Sequence, residues 1–325
     1  MEVPPTVIES VRGMQRPVVV SHVRPDADCL GSMLGLASVL KATGAAARVS
    51  VPAGTVSRRL AFMVAWGEVD AASDDDFAKA DGFIAVDTAK KSRCNVPKSL
   101  GDDWSAGRPL VNIDHHESNT NFGDVNWVEA SAASSSELVY RLIRAAEWPM
   151  SANVASLLYS GVHSDTVGFS LPTATADSLG IAADLVRHGA DVGTVGQRLY
   201  RSQAASEFGL ARLIYANTRI VAGGAIAYST ATFDELTCTG CTAADVDDQV
   251  GIPRSIDGIR MAILFTEGKP GKTRVNLRGE DGVNVLSLAT ELGGGGHAQS
   301  AGAVIDAAVP EAVERVLNRA IEHLR

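Results

Sequence analysis

The sequence predicts a two-domain α/β protein, and three observations lead to this prediction. The chain has 325 residues, which is long for one hydrophobic core and comfortable for two. Its first half alternates short β-branched runs with helical segments, a pattern typical of a parallel sheet flanked by helices. A second strand-rich region follows a helical stretch near residues 134–217. We therefore predict a first domain over 1–200, a helical connector over 201–217 and a smaller α/β domain over 218–325.

The first half of the chain supplies the strands of the predicted sheet. These strand-like runs are PVVVSH (17–22), ARVSVPAG (47–54), GFIAVD (82–87), PLVNID (109–114) and VNWVEA (125–130). The first run is followed by the small-residue segment CLGSMLGLASVLKATG, which has helical character and ends at Gly44, as helices often do. Another helix is expected near 57–66, and a later helical segment ends at Asp165.

The second domain is predicted to mix strands and helices. RIVAGGAIAYSTATF reads as a hairpin that turns at its Gly-Gly pair. Further strand-like runs are IRMAILFTEG, TRVNLRG and GAVIDA. Helices are expected at VNVLSLATEL and from residue 309 onwards.

Composition narrows the class of protein. Hydrophobic residues make up 46% and charged residues 21%, as in soluble globular proteins. The sequence shows neither an 18-residue apolar run nor a signal-peptide core, so we expect a cytoplasmic protein without a membrane partner. The net charge of −9 argues against a surface for long duplex nucleic acid, although bound metal ions let an acidic protein hold phosphate. Cys238 and Cys241 form half a zinc site with no second pair nearby, and we interpret them as structural or incidental.

Carboxylate and imidazole side chains follow three of the predicted strands. They are His22, Asp26, Asp28, Asp87, Asp114, His115 and His116. Each cluster alone is compatible with a turn or a helix cap. Together they would converge in the crevice at the carboxyl ends of the strands, where open α/β sheets bind ligands. This ligand mixture suits Mn²⁺, Mg²⁺ or Fe²⁺, and a pair of such ions hydrolyses phosphate esters.

The adjacent histidines of the run VNIDHHESNT need a separate explanation. Neighbouring side chains on an extended chain point to opposite faces. One of His115 and His116 can therefore enter a metal shell while the other faces a substrate or a supporting acid.

These motifs resemble those of the DHH phosphoesterase superfamily. HVRPDADCLGS, Asp87, IDHH and GVHSDT resemble its four motifs in order, and GGGGHAQSAG (293–302) resembles the signature of its DHHA1 domain. The resemblance covers nearly the whole chain and is nearest to the nanoRNase and pAp-phosphatase branch. It implies an N-terminal DHH domain with a mainly parallel sheet, and a smaller C-terminal DHHA1 domain.

The resemblance also implies a role for each matching residue. The implied ligands are His22, Asp26 and Asp87 for one metal ion, and Asp28, Asp87, His115 and Asp165 for the other. His116 would face the scissile phosphate, and Asp114 would orient the histidines. The expected cofactors are two divalent ions, with Mn²⁺ preferred and Mg²⁺ or Fe²⁺ as alternatives.

The sequence departs from the family pattern in two places. Ala27 stands between the two acids of the first motif, where glycine is usual, and we expect this small change to be tolerated. The fourth motif reads Asp165-Thr166-Val167-Gly168 in place of Asp-Thr-Gly. Val167 loses backbone freedom if its position requires a positive φ.

The Gly-rich run of the second domain is interpreted as a substrate-binding segment. Glycines let a backbone approach a ligand closely and present N–H groups to an anion. The guanidinium group of a nearby arginine can donate two hydrogen bonds to a phosphate. The predicted substrate-binding residues of this domain are Arg278, Gly294, Gly295, Gly296, His297 and Ser300. The alternative is an ordinary Gly-rich turn beside surface charges.

The leading hypothesis is a Mn²⁺-dependent phosphoesterase. Its expected substrates are short oligonucleotides, linear dinucleotides such as pApA and pGpG, and 3′-phosphoadenosine 5′-phosphate (pAp). The alternatives are a cyclic-dinucleotide phosphodiesterase, a polyphosphatase or pyrophosphatase, and a catalytically silent nucleotide-binding regulator. A nucleotide enzyme needs a surface on which bases stack, whereas a polyphosphate enzyme needs more Lys and Arg. The 29 Lys and Arg of this chain form no dense cluster, which favours nucleotides. A homodimer is left open.

Overall fold

The structure is a computed structural model that describes residues 2–51, 56–241, 246–280 and 282–324. It divides into two compact units, Met1–Ser202 and Gln203–Arg325. The end of the strand predicted over 47–54 lies outside the described residues. Within the described ranges, no helix has both the length and the apolar character needed to cross a membrane.

The first unit is built from a sheet and the helices that cover it. Its strands are β1 (Pro17–Val20), β2 (Arg48–Val49), β3 (Gly82–Val86), β4 (Leu110–Asp114) and β5 (Val125–Val128). Its helices are α1 (Pro5–Gly13), α2 (Ala27–Ala42), α3 (Ala61–Trp66), α4 (Asp74–Lys79), α5 (Ser135–Ala145), α6 (Ala152–Asp165), α7 (Ala176–Arg187) and α8 (Val192–Tyr200). All five predicted strand runs contain a strand. The short helices α1 and α4 were not predicted, because each buries only one or two apolar side chains.

The sheet of the first unit has the strand order β2-β1-β3-β4-β5, and all four pairings are parallel. The predicted α/β fold with a mainly parallel sheet is thus confirmed. The chain reverses its direction of travel across the sheet between β1 and β3. In this topology the carboxyl ends of those two strands flank the ligand-binding crevice.

Both faces of this sheet are buried. Val19 and Ile84 lie in the large apolar cluster that includes side chains of α1, α2, α5 and α6. Val18 and Phe83 face the other way and pack with Phe77 of α4. Burial on both faces explains why β1 and β3 are continuous apolar runs.

Glycines bring α2 close to the helices beside it. A Cβ atom at Gly31 would lie 2.5 Å from the carbonyl oxygen of Leu157 on α6. A Cβ atom at Gly161 would lie 2.6 Å from Oδ1 of Asp28 on α2. The absence of side chains at these two positions therefore lets α2 and α6 pack closely beside Asp28.

The second unit has a mixed sheet covered by helices. Its strands are β6 (Arg219–Val221), β7 (Ile226–Ala231), β8 (Met261–Lys269), β9 (Lys272–Gly279), β10 (Gly295–His297) and β11 (Ser300–Ile305). Its helices are α9 (Ala205–Ala216), α10 (Phe233–Thr239), α11 (Gly251–Arg254), α12 (Val285–Glu291) and α13 (Val309–His323). The order is β10-β11-β9-β8-β7-β6, with β7 and β8 parallel and the other pairings antiparallel.

The second unit contains the predicted hairpin and a helix from the segment predicted as a connector. The predicted Gly-Gly hairpin is present as β6 and β7, with Gly223 and Gly224 at positive φ. The segment predicted as a connector contains α9, whose Leu210 and Ile214 pack with Leu264 of β8 in an apolar cluster of this unit. The helix therefore contributes to the core of the second unit.

Candidate metal centre

The predicted ligands come together at the carboxyl end of the parallel sheet. Three overlapping groups offer one ligand atom per residue, all within 4.8 Å of one another in each group. The groups are His22–Asp26–Asp87, Asp28–His115–Asp165 and Asp87–His115–His116. Two of the three contain Asp87, which follows β3 directly. None of these groups, found among the described residues, includes a cysteine.

The first group gathers around the imidazole of His22. Its Nε2 lies 3.6 Å from Oδ2 of Asp26 and 3.4 Å from Oδ2 of Asp87. Asp26 is also the N-cap of α2, and its Oδ1 accepts the N–H of Cys29. Burial lowers the pKa of His22, but hydrogen bonds to Asp26 and Asp87 outweigh it and raise the pKa to about 9.

The second group gathers around His115. Its Nε2 lies 3.3 Å from Oδ2 of Asp165, 3.7 Å from Oδ1 of Asp87 and 4.0 Å from Oδ2 of Asp28. Burial and the charge of Asp87 raise the pKa of Asp28 well above its ordinary value. Burial, followed by the charges of Asp28 and Asp87, raises the pKa of Asp165 to about 10. Asp28 is buried and Asp165 is half-buried, and crowded carboxylates that repel one another in this way are a donor set that fits a divalent cation.

The start of α5 supports two of these carboxylates. The backbone N–H groups of Ser135 and Ser136 donate to Asp28 at 2.7 and 2.8 Å. The hydroxyl of Ser135 donates to Oδ1 of Asp87 at 3.2 Å. A helix N-terminus favours a carboxylate because its N–H groups lack partners within the helix. The serines were not predicted, although the run SSSE before an apolar helix is typical of a helix start.

A second set of hydrogen bonds orients His116. Its Nδ1 lies 2.7 Å from Oδ1 of the fully buried Asp114, and Nδ2 of Asn119 donates to Oδ2 of Asp114 at 2.6 Å. The hydrogen bond to Asp114 raises the pKa of His116. Asp114 therefore contacts one of the two histidines directly and is itself held by Asn119.

The predicted substrate residues of the second unit lie on neighbouring strands. His297 of β10 pairs with Ser300 of β11, which pairs with Arg278 of β9. Directly paired residues of antiparallel strands lie on the same face of a sheet. The three side chains therefore form a row, which we call the His297 row.

The Gly-rich run beside this row forms an edge strand rather than a free loop. A Cβ atom at Gly294 would lie 2.1 Å from the oxygen of Gly302, and one at Gly296 would lie 2.5 Å from Cα of Ala301. Both positions thus require glycine because β11 lies close to them. Gly295 has no such neighbour within 4 Å. Of the three predicted glycines, only Gly295 has room beside it for a ligand.

Comparison with known proteins agrees with the motifs and the fold. The model of the DHH family, N-terminal domain, matches residues 16–162, and that of the DHHA1 domain matches residues 226–325. The bifunctional oligoribonuclease and PAP phosphatase NrnA of Bacillus subtilis is 30% identical over 87% of this chain and 87% of its own length. The chain belongs to the DHH family. The membership predicted from the motifs is therefore confirmed.

Two further proteins are similar to this chain over almost its full length. The bifunctional oligoribonuclease and PAP phosphatase NrnA of Thermus thermophilus is 30% identical over 98% of this chain and 93% of its own length. An exopolyphosphatase-related protein of Bacteroides fragilis has a solved structure with a TM-score of 0.88 and 24% identity, covering 98% of this chain and 96% of that one. This structure supports the fold.

The fourth motif of this DHH-family chain is strained. Val167 has a φ of 47°, and Gly168 and Phe169 follow with φ of 66° and 64°. A left-handed residue other than glycine costs about 1–3 kcal/mol, and β-branched side chains are the least suited to it. Val167 therefore does occupy a position with a positive φ. The loss of backbone freedom expected for a valine at such a position applies to this residue.

Proposed function

We propose that this chain is a metal-dependent phosphoesterase that hydrolyses short oligoribonucleotides and pAp. The observation that carries the proposal is the position of Asp87 between two groups of carboxylate and imidazole ligands. The relatives from Bacillus subtilis and Thermus thermophilus, each named an oligoribonuclease and PAP phosphatase, support the substrate class. Both are similar to this chain across its two units.

The proposed ligands form two sets that share Asp87. The first set is His22, Asp26 and Asp87, and the second is Asp28, Asp87, His115 and Asp165. Oxygen and imidazole donors favour Mn²⁺, with Mg²⁺ and Fe²⁺ as alternatives. A pair of bound ions would supply an activated water and neutralise the charge on the phosphoryl group.

His116 is the proposed contact to the scissile phosphate. Because Asp114 binds its Nδ1, the ring nitrogen left for a substrate is Nε2. Asp114 is in turn held by Asn119, so the imidazole has a defined orientation. His116 would donate from Nε2 to a phosphate oxygen or to the leaving oxygen.

The second unit is proposed to hold another part of the nucleotide. In the His297 row, Arg278 carries a planar fork that suits a phosphate, and His297 and Ser300 offer hydrogen bonds to a phosphate or a base. The backbone of Gly295 has space for close approach. These contacts would distinguish a nucleotide from a simple phosphate ester.

A substrate panel with Mn²⁺ tests the proposal. We expect mononucleotides to be released from pApA, pGpG and RNA of two to five nucleotides, and inorganic phosphate from pAp. Cyclic dinucleotides and pyrophosphate test the alternative substrates, and the Asp87→Asn variant serves as the inactive control. If none of the linear nucleotides or pAp is hydrolysed, the proposed substrate class is wrong.

A further inference from the structure

An aromatic cluster lies where α6 ends, on the helix whose last residue is Asp165. The ring of His163 packs against Tyr159, Phe169 and Tyr200, with centroid distances of 5.3, 5.4 and 5.4 Å. The three ring contacts agree with packing, so His163 organises aromatic side chains.

Tyr200 is the exposed member of this cluster. It is the last residue of α8 and is 48% exposed, whereas Tyr159 is buried. Its hydroxyl oxygen lies 3.2 Å from Nδ1 of His163, so one edge of the phenol ring is anchored. An aromatic ring that is anchored at its hydroxyl and open to solvent loses little conformational freedom when a flat ligand stacks on it.

The cluster is tied to the candidate metal centre through the backbone. His163 lies two residues before Asp165 in α6, so their side chains leave the helix on opposite sides although their backbones are about 3 Å apart along its axis. The hydroxyl of Tyr200 also lies 3.4 Å from the backbone oxygen of His163, at this same end of α6. The chain that leaves Asp165 then presents two exposed aliphatic side chains, Val167 at 52% and Leu171 at 41%. Exposed apolar side chains therefore follow a proposed metal ligand directly along the chain.

The loop that follows Asp165 has a strained backbone that places Phe169 against His163. The left-handed run from Val167 to Phe169 directs Phe169 back onto His163. Thr166 holds the run, because its hydroxyl accepts the N–H of Phe169 and its carbonyl accepts the N–H of Leu171. Strained backbone that the surroundings maintain is common where a ligand binds.

We propose that Tyr200, anchored by His163, is a stacking surface for a nucleobase of the substrate. This inference rests on the proposed function and adds to it a specific contact that selects nucleotides. Every base has a π-face, so the surface would accept all four bases. Pyrophosphate and polyphosphate have no base and would gain nothing from it. The contact therefore separates two substrate classes that the sequence left open.

A fluorescent dinucleotide tests the contact without relying on turnover. The probes are linear 5′-phosphorylated dinucleotides that carry 2-aminopurine at the 5′ or the 3′ position, because stacking quenches this base. We expect quenching of at least one probe by the wild type and by Tyr200→Phe, which keeps the ring. Tyr200→Ala and Tyr200→Leu should lose the quenching. Tyr215→Ala, which removes an exposed tyrosine of the second unit, is the matched control.

Kinetics provide the second measurement. Loss of one base–aromatic stack corresponds to a KM for pApA that rises about 5- to 140-fold in Tyr200→Ala, with kcat nearly unchanged. A dinucleotide with an abasic residue at the stacked position should be insensitive to the substitution. If the wild type hydrolyses no nucleotide and yet quenches the probe through Tyr200, the proposed function fails and the stacking surface stands. No quenching by the wild type, or equal quenching by wild type and Tyr200→Ala, overturns the stacking surface.

Discussion

Replacing Asp87 with asparagine is expected to remove most of the stabilisation of the first unit by Mn²⁺. Asparagine is the appropriate replacement because Asp87 has a φ of 50°, a conformation that Asn tolerates and Ala does not. The substitution keeps the size of the side chain and removes its charge. Asp87 contributes to two of the three ligand groups, whereas Asp165 contributes to one. Loss of Asp87 should therefore affect both ions and loss of Asp165 only one.

The expected magnitude follows from linkage. An ion present at 100 times its Kd stabilises the fold by about 2.7 kcal/mol. For a unit of about 200 residues, 1 kcal/mol shifts Tm by about 2–4 °C, so each ion should add about 5–11 °C. Loss of a shared ligand that weakens binding at least a hundredfold leaves at most about 0.4 kcal/mol per ion at the same concentration, which corresponds to about 1–2 °C or less.

The assay is calorimetric unfolding with Mn²⁺ and after chelation, together with titration calorimetry to count the ions. We expect two ions for the wild type, one for Asp165→Asn and no saturable binding for Asp87→Asn. Asp74→Asn, which changes an exposed carboxylate in the first turn of α4, should behave as wild type. Full retention of the Mn²⁺-dependent Tm increase in Asp87→Asn would show that Asp87 does not join the two groups.

Two substitutions and one labelling experiment test metal affinity, the packing of the second unit and the burial of a cysteine. Ser135→Ala removes a hydroxyl that donates to a ligand carboxylate, so Mn²⁺ affinity should fall about tenfold in titration calorimetry and Ser135→Thr should restore it; unchanged affinity would contradict this support. Gly294→Ala should destabilise the second unit by about 1–3 kcal/mol in denaturant unfolding, because its Cβ meets a backbone oxygen, whereas Gly295→Ala should be tolerated; equal stability of the two variants would contradict the packing argument. Iodoacetamide should label exposed Cys238 well before Cys94, whose pKa is raised by burial to about 12, and mass mapping that finds equal rates would argue against that burial.

Much of the first unit and its candidate site could be predicted from local sequence. β-Branched runs that are buried on both faces identify parallel strands, and parallel strands end at the same edge of a sheet. An acid or histidine just after such a run must therefore lie near the others, which is why His22, Asp87 and His115 were expected together. The short helices α1 and α4 were missed because so few buried side chains leave little periodicity to detect.

The sequence of this protein determined which residue types would meet, and the tertiary structure decided how they are supported. Ser135 donates to Asp28 across 107 residues of chain, and no local pattern encodes such a contact. The exposure of Tyr200 beside His163 likewise depends on how α8 packs against the end of α6. Strand periodicity and motif order are local properties of a chain, whereas hydrogen bonds between distant segments and the exposure of a ring exist only after the core has packed.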